Sequence, residues 1–138
     1  MRHKTARNAG KARAAKTDKG RWKNRSVPER SMFAIHGIGS AWLREGSFRL
    51  ETLCAVLALS LMAYLRPALV WWAVGVLIIA LVLAAELINS AIEALADHLH
   101  PDRHGEIRAV KDMAAGGILV LNSAAGIILL LMLAATLL

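Results

Sequence analysis

The sequence predicts an all-α integral membrane protein in which an amphipathic surface helix precedes three transmembrane helices. Of its 138 residues, 57% are hydrophobic, and the mean hydropathy of +0.47 is well above that of a water-soluble domain. The apolar residues are mostly Leu, Ala, Ile and Val in uninterrupted runs, and only 5% of the residues are aromatic. Runs of this kind favour helices in lipid over the alternating strands of a membrane barrel.

Residues 1–30 form a basic segment that we expect to be disordered and cytoplasmic. They contain eleven Lys and Arg against two acidic residues, a net charge of +9, whereas the other 108 residues carry −2. Apart from Trp22 the segment has almost no large apolar residue, so it cannot bury enough surface to offset the entropy lost on ordering. We interpret it as a polybasic segment attracted to anionic headgroups. No recognised nucleic-acid-binding fold follows it, and we expect no nucleic-acid partner.

The remaining chain, residues 31–138, is predicted to form one membrane domain. Its first helix, at about residues 31–45, is too short to span and carries a loose apolar stripe, which is typical of a helix lying in the membrane interface. Arg66-Pro67 ends the first span, because proline suits the first turn of a helix and cannot continue one. The three spans are predicted at about residues 48–65, 67–97 and 109–137.

The distribution of positive charge predicts the orientation. The basic segment and the second loop, with Arg103, Arg108 and Lys111, lie on one side of the predicted membrane, while the other loop offers only Arg66. Since Lys and Arg accumulate in cytoplasmic loops, we expect the N-terminus in the cytoplasm and the C-terminus outside.

The second predicted span carries a polar stripe. Glu86, Asn89, Ser90, Glu93 and Asp97 occupy relative positions 0, 3, 4, 7 and 11, which fall on one face of a helix. A helix end that leaves the membrane would explain Asp97. It does not explain Glu86, because a carboxylate at the bilayer centre costs roughly 2.5–3.5 kcal/mol, less toward the interface, and such acids are usually functional. Glu86 and Glu93 are therefore candidate functional residues.

Further polar residues are predicted on the same side of the membrane. Glu45 ends the surface helix, and Lys111-Asp112 opens the third span. Carboxylates that converge with a lysine suit a divalent cation bound together with a polyphosphate. The sequence contains no GxxxxGK[ST] or GxGxxG motif, so a nucleotide would be held without a glycine-rich loop. On composition alone, the same residues could equally form a proton or cation pathway.

Three blocks resemble the motifs of the prokaryotic diacylglycerol kinase family, which consists of small integral-membrane lipid kinases. The most specific is the run AELINSAIEA, residues 85–94, followed by Asp97. Lys111-Asp112-Met113 matches the family's second block, and Trp42 with residues 45–49 and Glu51 resembles its first. The resemblance covers about residues 30–138.

The resemblance implies a homotrimer in the bacterial inner membrane that transfers the γ-phosphoryl group of MgATP to the primary hydroxyl of diacylglycerol, giving phosphatidic acid. It implies that Glu86 is the base that takes the proton from the lipid hydroxyl, with Asn89 beside it. It also implies ligands for Mg²⁺, for the nucleotide and for the lipid. These are Glu45 and Glu93 for Mg²⁺; Glu45, Glu93, His104, Lys111 and Asp112 for the nucleotide; and Glu86, Trp42, Phe48, Arg49 and Glu51 for the lipid.

Two alternative functions remain open from the sequence. An undecaprenol kinase shares the central motif, although Ser47-Phe48-Arg49 followed by Glu51 favours the diacylglycerol branch. A small proton- or cation-conducting membrane protein would also keep Glu86 and Glu93. It would give them no reason to be accompanied by Lys111-Asp112 and by a surface helix that ends in Glu45.

Overall fold

The described part of the chain is all-α. A computed structural model describes residues 26–100 and 105–138, and no strand occurs in these two ranges. Three of the helices are long and apolar enough to span a membrane, so the predicted fold class is confirmed. The basic segment up to residue 25, Arg103 and His104 lie outside the described residues. The four helices are α1 (Val27–Arg44), α2 (Gly46–Leu65), α3 (Leu69–Leu99) and α4 (Gly105–Leu137).

Helix α1 begins at Val27, earlier than the predicted residue 31, because a capping box starts it. The backbone N–H of Ser26 donates to Oε2 of Glu29 at 3.1 Å, which is one half of the reciprocal Ser-x-x-Glu arrangement. Pro28 is tolerated because it lies in the first turn, where the backbone N–H has no helical partner. The chain divides between Gly39 and Ser40 into two compact units, and the candidate site lies wholly within the second.

The helix boundaries in the second unit follow from local backbone chemistry. Glu45 alone separates α1 from α2, with an extended backbone at φ −109° and ψ 116°. Arg66 ends α2 in the left-handed conformation, φ 51°, and its N–H donates to the carbonyl of Met62 at 2.9 Å. The loop between α3 and α4 is shorter than predicted. Helix α4 starts at Gly105, with Glu106 in its first turn, where a negative charge complements the helix dipole.

Helix α3 packs against both α2 and α4. In the contact with α2, an added Cβ at Gly75 would lie 2.9 Å from both Sδ and Cε of Met62. Absence of a side chain at Gly75 therefore allows the two helices to approach closely. The buried face of α3 continues from this apolar contact to polar residues near its other end. It comprises Gly75, Ile78, Val82, Glu86, Asn89, Ser90 and Ala96.

Candidate functional site

The most buried large side chain among the described residues is an acid. Glu86 is 2% exposed, and its Oε1 has no hydrogen-bond partner in the part of the chain that the structure describes. Ser90 donates to the main-chain carbonyl of Glu86 at 2.9 Å, so that hydroxyl does not serve the carboxylate. A buried oxygen without a partner is energetically unfavourable and is available to accept a proton or a hydrogen bond from a ligand.

Two further polar residues lie on the same face of α3. Nδ2 of Asn89 donates to Oε1 of Glu93 at 2.9 Å, which is the i to i+4 contact that helix geometry permits. The other amide atom, Oδ1 of Asn89, is buried and has no partner among the described residues. The three side chains of Glu86, Asn89 and Glu93 therefore form a polar row, and within it one acceptor oxygen on Glu86 and one on Asn89 are unused.

The row leads to a groove at the polar end of α3. The groove has a volume of about 570 Å³, and Glu45 enters it from the break between α1 and α2. Glu93 and Asp97 contribute from α3, so three carboxylates share one solvent-accessible space with a single Arg. The lining residues are Arg44, Glu45, Glu93, Ala94, Asp97 and His98.

Lys111 on α4 pairs with one of the carboxylates of the groove. Its Nζ lies 2.9 Å from Oδ1 of Asp97 and is partly shielded from solvent. Sequence reasoning had explained Asp97 as a residue that merely faces water. It missed the ion pair because the register between two helices that are joined by a loop is set by packing rather than by spacing.

The structure does not bring Asp112 into the groove of its own chain. Asp112 pairs with Arg108 one turn earlier on α4, with Oδ2 3.7 Å from Nε, and both side chains are mostly exposed. Neighbouring residues on a helix point about 100° apart, so Lys111 and Asp112 cannot both face α3. The last predicted nucleotide ligand, His104, lies outside the described residues.

The residues predicted to contact lipid are divided between different environments. Phe48 is buried, whereas Trp42 is about half exposed. Nη1 of Arg49 donates to the carbonyl of Trp42 at 3.0 Å, and thereby satisfies the C-terminal end of α1. Glu51 accepts a hydrogen bond of 2.6 Å from Nδ2 of Asn122. Sequence reasoning missed Asn122, although an amide inside an uncharged run of twenty-six residues was a visible signal.

The donor set of the groove fits a magnesium ion that is shared with phosphates. Among the described residues, no group of three or more His, Cys, Asp or Glu side chains could hold a metal ion by itself. Glu45 and Glu93 do line the same groove. Mg²⁺ is usually bound by one or two carboxylates, together with waters and substrate phosphates, rather than by an all-protein cage.

Comparison with known proteins identifies the family that this chain resembles. Residues 32–133 match the family model described as prokaryotic diacylglycerol kinase. The diacylglycerol kinase of Escherichia coli strain K12 is 29% identical over 88 residues, 64% of this chain and 72% of that protein. The diacylglycerol kinase of Helicobacter pylori is 32% identical over 88 residues, 64% of this chain and 69% of that protein. That of Haemophilus influenzae is 27% identical over 96 residues, 70% of this chain and 81% of that protein.

Proposed function

The chain belongs to the prokaryotic diacylglycerol kinase family, and on this basis we propose that it is an ATP-dependent lipid kinase that converts diacylglycerol to phosphatidic acid. The observation that carries the proposal is the buried Glu86 carboxylate, whose Oε1 has no partner among the described residues. A row of two further polar side chains, Asn89 and Glu93, connects it to a groove of carboxylates. A base at membrane depth beside a polar groove suits a reaction between a lipid and a water-soluble phosphate donor.

In the proposed reaction, Glu86 acts as the general base. Its free oxygen takes the proton of the lipid hydroxyl while that hydroxyl oxygen attacks the γ-phosphorus of ATP. The new oxygen–phosphorus bond forms as the bond from the γ-phosphorus to the β,γ-bridging oxygen breaks, and ADP leaves. Asn89 lies one turn along α3, and its unused Oδ1 can accept a hydrogen bond from the reacting groups. The amide thus orients the substrates without exchanging a proton.

The groove would hold the triphosphate. Glu45 and Glu93 would bind Mg²⁺, which neutralises phosphate charge when bound. The hydrogen bond from Asn89 restrains Glu93, so the carboxylate is oriented before the nucleotide arrives. Asp97 holds the Lys111 ammonium at the groove, where it would attract the phosphates. Because ATP is cytoplasmic, the groove would open on the cytoplasmic side of the inner membrane.

We further propose that the functional unit is a homotrimer in which neighbouring chains complete each site. Asp112 is exposed on the outer face of α4 in its own chain, where a second copy can reach it. Many large apolar side chains are exposed as well, Leu57 and Leu119 among them. In a membrane protein such surfaces are covered by lipid or by other copies of the chain, and closed rotational symmetry would give each copy the same contacts.

The proposal is tested by incubating purified protein in mixed micelles with labelled MgATP and either diacylglycerol or undecaprenol. We expect labelled phosphatidic acid from the wild-type protein and none from Glu86→Gln. Preferential labelling of undecaprenol would assign the chain to the alternative substrate. If neither lipid is labelled and liposomes containing the protein conduct protons or cations, the kinase assignment is wrong.

A further inference from the structure

Asn122 connects two helices through a side chain that the proposed reaction does not use. It lies on α4, and its hydrogen bond of 2.6 Å to Glu51 reaches α2 across 71 positions of sequence. Both residues are half-buried. An ionised carboxylate in a membrane-spanning segment is costly unless it is paired, so the amide provides a partner for a second acid in the membrane domain.

The helix registers place this pair at the same level as Glu86. On the α2 side, Gly75 meets Met62. Helices α2 and α3 are antiparallel. Moving eleven residues forward on α3, from Gly75 to Glu86, therefore covers the same distance along the membrane domain as moving eleven residues back on α2, from Met62 to Glu51.

The contact between α3 and α4 gives the same level independently. Asp97 of α3 pairs with Lys111 of α4. Moving eleven residues back on α3, from Asp97 to Glu86, covers the same distance as moving eleven residues forward on α4, from Lys111 to Asn122. Eleven residues make about three full turns, so each step also returns to nearly the same face of its helix. By these registers Glu51, Glu86 and Asn122 lie at one level of the membrane domain, which we call the polar layer. Within it, the hydrogen bond joins Glu51 and Asn122.

An apolar cavity begins at this layer and extends away from the groove. It has a volume of about 320 Å³, and Glu51 and Asn122 are polar residues in its lining. Most of the other walls are aliphatic or small, for example Ala58, Gly75 and Met132. A lipid in this cavity would thus have the Glu51 carboxylate beside its polar head and apolar walls beyond it, with Glu86 at the same level of the membrane domain.

We propose that Asn122 and Glu51 form a selectivity element that admits an uncharged lipid alcohol to Glu86 and disfavours lipids that already carry a net negative phosphate. The inference rests on the proposed kinase function. Asn122 is a positioning residue, because it acts by keeping the Glu51 carboxylate in the polar layer. The charge of Glu51 then repels an anionic headgroup and leaves a neutral hydroxyl unaffected.

The same repulsion would act on the product of the reaction. Phosphorylation converts a neutral lipid into an anionic one, and the new phosphate stands in a layer that already contains a fixed carboxylate. Helix axes in contact are about 8–10 Å apart. At an effective dielectric constant of about 20, the repulsion between two negative unit charges at that separation weakens the binding of the anionic lipid by roughly tenfold or more. The element therefore favours release of product and limits inhibition by the anionic phospholipids of the membrane.

The test compares two lipids with the same acyl chains as inhibitors of the full-length protein in mixed micelles. One is dioleoylphosphatidylglycerol, which is anionic, and the other is dioleoylphosphatidylcholine, which has no net charge. We expect Glu51→Gln to strengthen inhibition by the anionic lipid relative to the zwitterionic lipid roughly tenfold. Asn122→Leu should shift the ratio in the same direction, because it releases the Glu51 side chain. Neither variant should change the KM for ATP.

Ser123→Ala is the matched control. Ser123 neighbours Asn122 and is exposed, and among the described residues its hydroxyl donates to the Leu119 carbonyl of its own helix. The ratio of inhibition by the anionic lipid to inhibition by the zwitterionic lipid should therefore equal that of the wild type. If Glu51→Gln is inactive, displacement of a fluorescent diacylglycerol by the same two lipids replaces the inhibition assay. An unchanged ratio in Glu51→Gln, or an equal shift in Ser123→Ala, overturns the selectivity element. A wild-type protein that phosphorylates no lipid alcohol overturns the proposed function and this inference with it.

Discussion

Replacing Glu86 by Gln should lower the catalytic rate and raise the stability of the protein. The amide preserves the shape of the side chain but cannot take up the hydroxyl proton. A positioned general base contributes about 10²–10⁴ in rate, and we expect kcat to fall by at least the lower of these factors. Since each factor of ten equals about 1.36 kcal/mol, the loss is roughly 2.7–5.4 kcal/mol of transition-state stabilisation.

The stability of the same variant should rise. Glu86 is 2% exposed, and Oε1 has no partner among the described residues, so the native protein bears much of the cost of an intramembrane carboxylate, roughly 2.5–3.5 kcal/mol at the bilayer centre. The substituted amide still leaves polar atoms to satisfy, at about 1–3 kcal/mol. The difference is a stabilisation on the order of 1 kcal/mol.

Initial rates with labelled MgATP in mixed micelles measure the loss of catalysis, and the fraction of protein that stays folded through a temperature series measures the gain in stability. Glu93→Gln is the matched control, because it makes the same chemical change two turns further along α3. Glu93 is half-buried and already accepts a hydrogen bond from Asn89, so its substitution should not stabilise the protein. A Glu86→Gln protein with near-normal turnover would refute the base assignment. One that is inactive and also unfolds more easily would show that Glu86 is a structural residue.

Three further predictions address the groove, the assembly and the helix packing. Glu45→Gln should raise the apparent Mg²⁺ and ATP requirements together, by roughly tenfold, because it removes one hard oxygen ligand; an unchanged Mg²⁺ titration would place the metal elsewhere. Reassembling Glu86→Gln with Asp112→Asn in equal amounts should restore about a quarter of the wild-type activity if each site draws these residues from adjacent chains. No recovery after verified subunit exchange would exclude that sharing. Gly75→Leu should lower the thermal midpoint by overpacking against Met62, at a cost of about 1–3 kcal/mol, and an unchanged midpoint would show that the two helices separate freely there.

The spans and the polar stripe could be predicted from sequence because each depends on a single helix. Uninterrupted apolar runs fix the number of spans. The spacing of Glu86, Asn89 and Glu93 fixes their common face, since helix geometry relates positions three, four and seven residues apart. The start of α1 was also readable in principle, because Ser26 and Glu29 have the spacing of a capping box.

Contacts between helices could not be predicted in the same way. The pairing of Lys111 with Asp97, and of Asn122 with Glu51, depends on how far one helix slides along another. That register is set by packing at places such as Gly75 and Met62, which lie far from the polar residues. Sequence motifs identify which residue types are required, but they contain no information about these offsets.

The buried face of α3 relates the apolar contact at Gly75 to the orientation of Glu86. Gly75, Glu86 and Asp97 are separated by steps of eleven residues, each about 16 Å along the axis and only about 20° away from three complete turns. At one end of this face Gly75 lies against Met62 of α2, and at the other end Asp97 pairs with Lys111 of α4. Glu86 lies midway between these two contacts and therefore faces the interior. A rotation of one residue, about 100°, would turn the carboxylate off the buried face of α3, and it would also move Gly75 away from Met62 and Asp97 away from Lys111.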